Sequence, residues 1–135
     1  MADPAVASKR SRTHAVDGVV NAFKFEIGAA GAVGTITEWG SGDFVSGVVR
    51  TAEGIYTVTL QKPYPATLVS VAPLIASPAI GDAMVVARFD ANSYSASAGT
   101  FIINTSKNTG AADTTQIAGD PANGATVQVV LHYVD

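Results

Sequence analysis

Apolar and polar positions alternate with a period of two along most of the chain, a pattern typical of half-buried β-strands. The clearest example is residues 55–61 (IYTVTLQ), in which tyrosine, valine and leucine face one way and threonine or glutamine the other. The pattern predicts strands over residues 19–27, 33–39, 44–51, 55–61, 66–74, 83–89, 93–97, 100–105 and 125–134. No segment shows a helical period.

Clusters of Gly, Pro, Asn and Asp separate these strands. Residues 62–65 (KPYP) predict a loop, Gly47 predicts a β-bulge, and Pro73 is expected to end its strand. The longest polar stretch, residues 106–124, is expected to be a loop. Short strands at intervals of about 8–12 residues favour an antiparallel sandwich, and a jelly roll is the commonest way to arrange eight of them. We therefore predict an all-β fold, an antiparallel jelly-roll-like β-sandwich.

The length of 135 residues suits one domain with one core. Hydrophobic residues make up 47% of the chain and charged residues only 14%, which argues against disorder and leaves apolar surface for a contact. Residues 1–17 contain almost nothing that could enter a core. We predict an extended basic N-terminal arm over residues 1–17 and the β-sandwich domain over residues 18–135.

The net charge of −3 gives no reason to expect nucleic-acid binding by the whole domain. The arm, however, holds Lys9, Arg10 and Arg12 against two acidic residues. This cluster could be a solubilising tail, a weak contact to nucleic acid, or a segment that becomes ordered on an acidic protein surface. We favour the protein partner, because the acidic domain behind the arm would repel DNA.

The last strand is apolar on both faces. One face carries four residues with no charge among them: Val127, Val129, Leu131 and Tyr133. The other carries Val130 and Val134 together with Gln128 and His132. Because a two-sheet sandwich needs only one apolar face per strand, the second face is either covered by another element or buried between subunits. We predict that Val130, His132 and Val134 form the interface of a homo-oligomer, a dimer or a trimer.

Candidate catalytic chemistry is sparse. The chain has no cysteine, which excludes disulfides, thiolate metal sites and cysteine nucleophiles. Its two histidines, His14 and His132, do not suffice for a zinc site. A Ser–His–Asp arrangement through His132 stays open on composition, but no Gly-x-Ser-x-Gly sequence marks a nucleophile. We predict no enzyme activity, no catalytic residue, no metal and no cofactor.

Oxygen-bearing side chains in the long polar stretch could bind calcium, because Asp113 and Asp120 have Asn108 and Asn123 nearby. Their spacing does not match an EF-hand, so turn capping is the favoured interpretation. Glu26 and Glu38 could form an acid–base pair but are expected to face solvent.

Aromatic residues could stack on a sugar, although core or corner positions are expected for them. They are Trp39, Tyr64 and Tyr94. The glycine-rich residues 28–34 (GAAGAVG) lack the Lys-Ser/Thr ending of a phosphate loop and predict a flexible connection.

No secretory signal is visible at the N-terminus, and the most apolar stretch, residues 68–86, is broken by Pro, Gly and Asp. A soluble protein made in a cytoplasm, with no membrane contact, is therefore expected.

Residues 54–74 (GIYTVTLQKPYPATLVSVAPL) resemble a pattern common in small structural proteins of tailed bacteriophages: a Gly-x-Tyr-Thr-Val-Thr-Leu strand, a Tyr-Pro corner and a Leu-rich strand. Residues 100–104 (TFIIN), the turn at 119–124 and residues 127–133 (VQVVLHY) fit it too, so the resemblance covers residues 54–135. The same order of strands is loosely similar to the trimeric jelly roll of the C1q and tumour-necrosis-factor type.

The resemblance implies a capsid decoration, or cement, protein that binds the major capsid protein and stabilises the phage head. It would be located on the capsid surface of the virion and, during assembly, in the host cytoplasm. The alternative is a fibre or spike head that binds a cell-surface glycan. A third class, a sandwich-fold hydrolase, lacks a recognisable site in the sequence. The resemblance implies no catalytic residues.

Overall fold

The computed structural model describes residues 18–39, 43–77, 85–108 and 115–134. The predicted arm, residues 1–17, lies outside the described residues. The strands are β1 Gly18–Ile27, β2 Val33–Trp39, β3 Val45–Ala52, β4 Ile55–Leu60, β5 Thr67–Ala76, β6 Val85–Phe89, β7 Thr100–Asn108, β8 Gln116–Ala118 and β9 Thr126–Val134. Among the described residues the remaining regular element is a 3-10 turn, Ala29–Gly31, between β1 and β2.

Two antiparallel sheets form the sandwich. Sheet A has the order β2-β1-β9-β5, and sheet B has the order β3-β4-β7-β6, with β8 paired to the end of β7. The chain crosses from sheet A to sheet B after β2, returns for β5, crosses again for β6 to β8, and closes in sheet A with β9. The all-β antiparallel sandwich is therefore confirmed, whereas its jelly-roll character stays a prediction.

The core lies between the two sheets and takes alternate residues from their central strands. Sheet A supplies inward side chains that are wholly or almost wholly buried: Phe23, Phe25, Ile27, Val127, Val129 and Leu131. Sheet B supplies Val45, Val48, Tyr56, Val58, Leu60, Phe101 and Ile103. Burial of one such side chain stabilises the fold by about 1.5–3 kcal/mol. Because apolar residues alternate along each strand, the face that carries them is the one that points inward.

Strand β5 is longer than the sequence predicts, because it passes through Pro73 and ends at Ala76. The expectation that Pro73 ends the strand is wrong. Strand β5 is the edge strand of sheet A, and an edge strand tolerates a proline because its outer N–H groups have no partner in the sheet. The predicted bulge at Gly47 is confirmed, since the pairing of β3 with β4 shifts between Val45 and Gly47.

The polar stretch 106–124 is not wholly a loop. Strand β7 continues to Asn108, and β8 pairs with its last three residues. The polar side chains at the end of β7 give no apolar alternation in the sequence. In the structure, the hydroxyl of Ser106 donates to Oε1 of Gln116 (3.0 Å) and links the two strands. Residues 109–114 of the stretch lie outside the described residues.

The short strand predicted over residues 93–97 is reduced to a single bridge between Ser95 and Thr100. A tight turn closes there, in which the N–H of Gly99 donates to the carbonyl of Ser95 (2.7 Å). Gly99 has φ +69°, and a Cβ at this position would lie 2.3 Å from the Tyr64 ring. The corner position expected for Tyr64 is therefore confirmed. The positive φ of Gly99 and its close approach to the Tyr64 ring require a glycine turn at this position rather than a strand.

Candidate functional site: the outer face of sheet A

The side of sheet A that points away from the core carries a continuous row of apolar residues. The strand registers place Trp39 of β2 beside Ala22 of β1, Ala22 beside Val130 of β9, and Val130 beside Ala72 of β5. We call these four residues the apolar row. Because they occupy one register position on four adjacent strands, they cross the full width of the sheet.

The apolar row is open to solvent. Trp39 is 50% exposed and Val130 is 47% exposed. Large apolar side chains flank the row on the same sheet, with Val20 on β1 at 50% exposure and Leu74 on β5 at 63%. Single exposed apolar residues are ordinary, but a contiguous set across four strands is typical of a contact surface.

Charge is scarce on this face. On the described strands of sheet A, its charged side chains are Lys24 and Glu26, both on β1. The ammonium of Lys24 lies 5.6 Å from the centroid of the Trp39 ring, a cation–π distance. The face is therefore apolar at the row and close to neutral in total charge.

The three predicted interface residues all lie on this face. Val130 belongs to the apolar row, whereas His132 pairs with Val20 and Ser70, and Val134 pairs with Thr67. His132 and Val134 are half-buried. Nε2 of His132 is buried and has no hydrogen-bond partner among the described residues. The structure thus places these residues together, while their role in an interface stays a prediction.

The sequence marked Trp39 only as an aromatic that could stack on a sugar, and it did not single out Ala22 or Ala72. The core or corner position expected for Trp39 is wrong, because the side chain is half exposed beside Ala22. Corner positions fit the other aromatic candidates: the hydroxyl of Tyr94 donates to the carbonyl of Pro65, and Tyr64 packs over Gly99. Small outward residues such as Ala22 give no sequence signal until the register places them beside Trp39 and Val130.

At one end of the sandwich, Asp120 joins segments from both sheets. Its carboxylate accepts hydrogen bonds from Nε (3.0 Å) and Nη2 (2.7 Å) of Arg50 and from the N–H of Gly54 (2.9 Å). The hydroxyl of Tyr56 also contacts Asp120 (3.3 Å) and donates to the carbonyl of Gly31 (2.9 Å). The cluster therefore fixes the β3–β4 turn, the β1–β2 connection and the loop before β9 to one another.

The electrostatics of this cluster match a structural ion pair. Burial acts to raise the pKa of the Asp120 carboxyl, but hydrogen bonds from Arg50 and the Gly54 N–H outweigh it, so the pKa lies below its usual value. Burial, reinforced by Asp120, raises the pKa of the Tyr56 phenol. Both carboxylate oxygens of Asp120 are thus engaged by the protein itself, as the turn-capping interpretation expects.

Other acidic candidates do not converge. Glu26 points outward from β1, whereas Glu38 lies opposite the inward-facing Phe23. Oε1 of Glu38 accepts the N–H groups of Phe44 (2.8 Å) and Val45 (2.6 Å), so it anchors the crossing from sheet A to sheet B. The two glutamates therefore do not form an acid–base pair, and only Glu26 faces solvent as expected.

Several of the remaining candidate site residues belong to segments that the structure does not describe. Lys9, Arg10, Arg12, His14 and Asp113 lie outside the described residues. Within the ranges that are described, no group of three or more His, Cys, Asp or Glu side chains could hold a metal ion. The same ranges contain no helix long and apolar enough to span a membrane.

The outer face of sheet B carries a shallow groove of about 490 Å³ between β8 and the turn after β6. Ile55, Asn104 and Arg88 lie side by side in register in this groove.

No family model, curated protein or solved structure matches the chain.

Proposed function

We propose that this chain is a structural protein of a tailed-phage virion, a capsid decoration protein that binds the major capsid protein and stabilises the head. The exposed apolar row on sheet A carries the proposal. It provides the domain with a contact surface that folding of the sandwich does not use. The resemblance of residues 54–135 to small phage structural proteins adds support and supplies the capsid as the site of action.

The energetic basis is repetition. A contact of this kind gains roughly 25 cal/mol per Å² of apolar surface buried, less the cost of association. One contact between two small domains is therefore modest. Many identical copies on a symmetric shell act together, and each copy that bridges two neighbouring subunits raises the free energy needed to separate them.

The arm is proposed to provide attachment to the capsid. Lys9, Arg10 and Arg12 would bind an acidic surface of the major capsid protein, and the arm would become ordered on that surface. The charge distribution supports this division of labour, because the rest of the chain is acidic and carries the apolar face.

Co-sedimentation with phage capsids that lack accessory proteins tests the function. We expect saturable binding of the full chain at a fixed ratio to the major capsid protein. A triple variant, Lys9→Ala with Arg10→Ala and Arg12→Ala, should bind more weakly. The matched control removes three domain charges instead: Lys62→Ala, Arg88→Ala and Lys107→Ala. An absence of capsid binding by the full chain at any concentration would overturn the proposal.

A fibre or spike head that binds a glycan is the second candidate, favoured by the half-exposed ring of Trp39. Two separate sites could take a sugar, one on each outer face of the sandwich. The Trp39 ring on sheet A could stack on a sugar, whereas Asn104 and Arg88 in the groove of sheet B offer hydrogen bonds to hydroxyl groups. A glycan array tests this candidate. Binding that is lost in Trp39→Ala or Asn104→Ala, with no capsid binding, would favour it over the decoration protein.

A further inference from the structure

We infer that the outer face of sheet A is a homodimer interface, on which the same face of a second copy of this chain packs. The inference rests on the proposed function and deepens it: the apolar face joins two copies of the chain, and attachment to the capsid falls to the arm and to the remaining surface of the dimer. Three observations support a second copy as the occupant: the extent of the face, its composition and its charge.

The extent of the face is adequate for a dimer. Four strands spaced about 4.8 Å apart, with up to nine or ten residues at about 3.3 Å each, cover roughly 600 Å². Stable interfaces begin near 600 Å² per partner. The apolar row crosses this area from Trp39 to Ala72, so contact over the whole sheet would cover it completely.

The composition is that of an interface, with an apolar centre and a polar margin. Val130 and Ala22 lie on the two central strands of sheet A, and Trp39, of a residue type enriched among binding hot spots, lies on one edge. In the next register row, beside Lys24, the outward residues of β2 and β9 are polar, namely Thr37 and Gln128. Water would therefore be excluded from the row and retained around it.

The near-neutral charge of the face favours a second copy of the chain over a strongly charged partner protein. The face presents Lys24 and Glu26 two residues apart on β1, so two copies of it do not repel one another. A strongly basic or acidic protein would find no complementary patch there. A two-fold contact needs a self-complementary surface, and a nearly neutral sheet with a central apolar row meets that condition.

Sheets pack face to face about 10 Å apart, with their strands inclined at about 30°. Sheet A already packs against sheet B through the shared core on its inner side. A dimer repeats that geometry on the outer side and gives four stacked sheets, with the apolar rows of the two copies in the central layer.

The first test measures mass in solution without capsids, by sedimentation equilibrium over a range of concentrations. We expect the wild-type chain to be a dimer and Val130→Asp to raise the dissociation constant roughly 100-fold, because a buried carboxylate would lie near its symmetry mate. The matched control is Val49→Asp, since Val49 is 60% exposed on a strand of sheet B. This control should remain a dimer. Far-ultraviolet circular dichroism checks that both variants are folded.

The second test does not depend on a destabilising charge. The chain has no cysteine, so Val130→Cys and Ala22→Cys each introduce a single thiol at the centre of the face. A short bismaleimide should cross-link these variants, singly or mixed, into covalent dimers. Val49→Cys serves as the control and should remain uncrosslinked under the same conditions.

The outcomes separate this inference from the proposed function. A wild-type monomer, a trimer, or a dimer unaffected by Val130→Asp and not cross-linked through Val130→Cys or Ala22→Cys would overturn the homodimer. A monomer that still binds capsids would overturn the dimer alone. A dimer that fails to bind capsids would overturn the decoration role and leave the interface intact.

Discussion

The outer faces of the two sheets differ although both belong to one sandwich. On sheet A, the residues from Trp39 to Ala72 are apolar at one register position across all four strands. On sheet B, Thr57 separates Val49 from Ile102, and Asn104 separates Ile55 from Arg88. Polar residues thus interrupt each row of sheet B, which is the pattern expected for a sheet that faces water.

The inward apolar residues are the ones that the fold requires. The inward residues of both sheets are sufficient to form the core, so the fold would be retained if sheet A were as polar outside as sheet B. The extra apolar residues on sheet A therefore contribute little to the folding of the single chain. Contact with another molecule is the role that we propose for them.

The largest expected effect separates the two faces of a single strand. Leu131 is fully buried, whereas its neighbour Val130 is half exposed. Leu131→Ala should lower the free energy of unfolding by about 2–5 kcal/mol, because it opens a cavity in the core. Val130→Ala should change that of the monomer by less than about 0.5 kcal/mol. Urea titration in dilute solution measures both, and similar losses would contradict the assignment of the faces.

Asp120 affects both sheets without touching either outer face. Asp120→Asn should lower the free energy of unfolding by about 2–3 kcal/mol, since it removes the charge bound to Arg50 and weakens the bond to the Gly54 N–H. The cost is of this size because those groups are partly buried. Self-association of the folded fraction should be unchanged. A loss of association with unchanged stability would show that the end cluster and the face are coupled.

The same carboxylate makes stability depend on pH. The pKa of Asp120 is lower in the folded chain than its ordinary value of 3.8. Its contribution is therefore fully present above about pH 4 and is lost as the pH falls through the folded pKa. Between pH 5 and pH 2, the stability difference between the wild-type chain and Asp120→Asn should shrink. A constant difference over that range would exclude this linkage.

A moderate effect is expected when sheet B is made to resemble sheet A. Thr57→Val joins Val49 to Ile102 in an apolar row, and Asn104→Val extends the patch beside Ile55. The double variant should form species larger than the wild-type assembly at high protein concentration, because it gains a second apolar face. Light scattering measures this. An unchanged mass would mean that an apolar row alone does not cause association.

The smallest effect concerns His132. A buried polar atom without a hydrogen bond costs about 1–3 kcal/mol, so His132→Leu should leave the stability of the monomer unchanged or raise it by about 1 kcal/mol. Thermal unfolding in dilute solution measures the change. A marked loss of stability would mean that the imidazole makes a contact that the described residues do not include.

Much of the fold could be predicted from the sequence. The alternation in residues 55–61 identified β4 and its inward Tyr56, and the two apolar faces of the last strand marked Val130. Predictions were wrong where long-range pairing overrides local composition. Pro73 stays in a strand because that strand is at an edge, and residues 106–108 stay in β7 because β6 and β8 pair with them.

Side chains alternate along a strand whatever its neighbours are, so the fold class and the inward face of most strands could be predicted from the sequence. Which residues of different strands lie side by side follows from the tertiary structure alone. The apolar row takes one residue from each of four strands separated along the chain, and the Asp120 cluster joins Arg50 to a residue 70 positions later. Such sets depend on strand order and register, which follow from the packing of the whole sandwich and not from any local pattern.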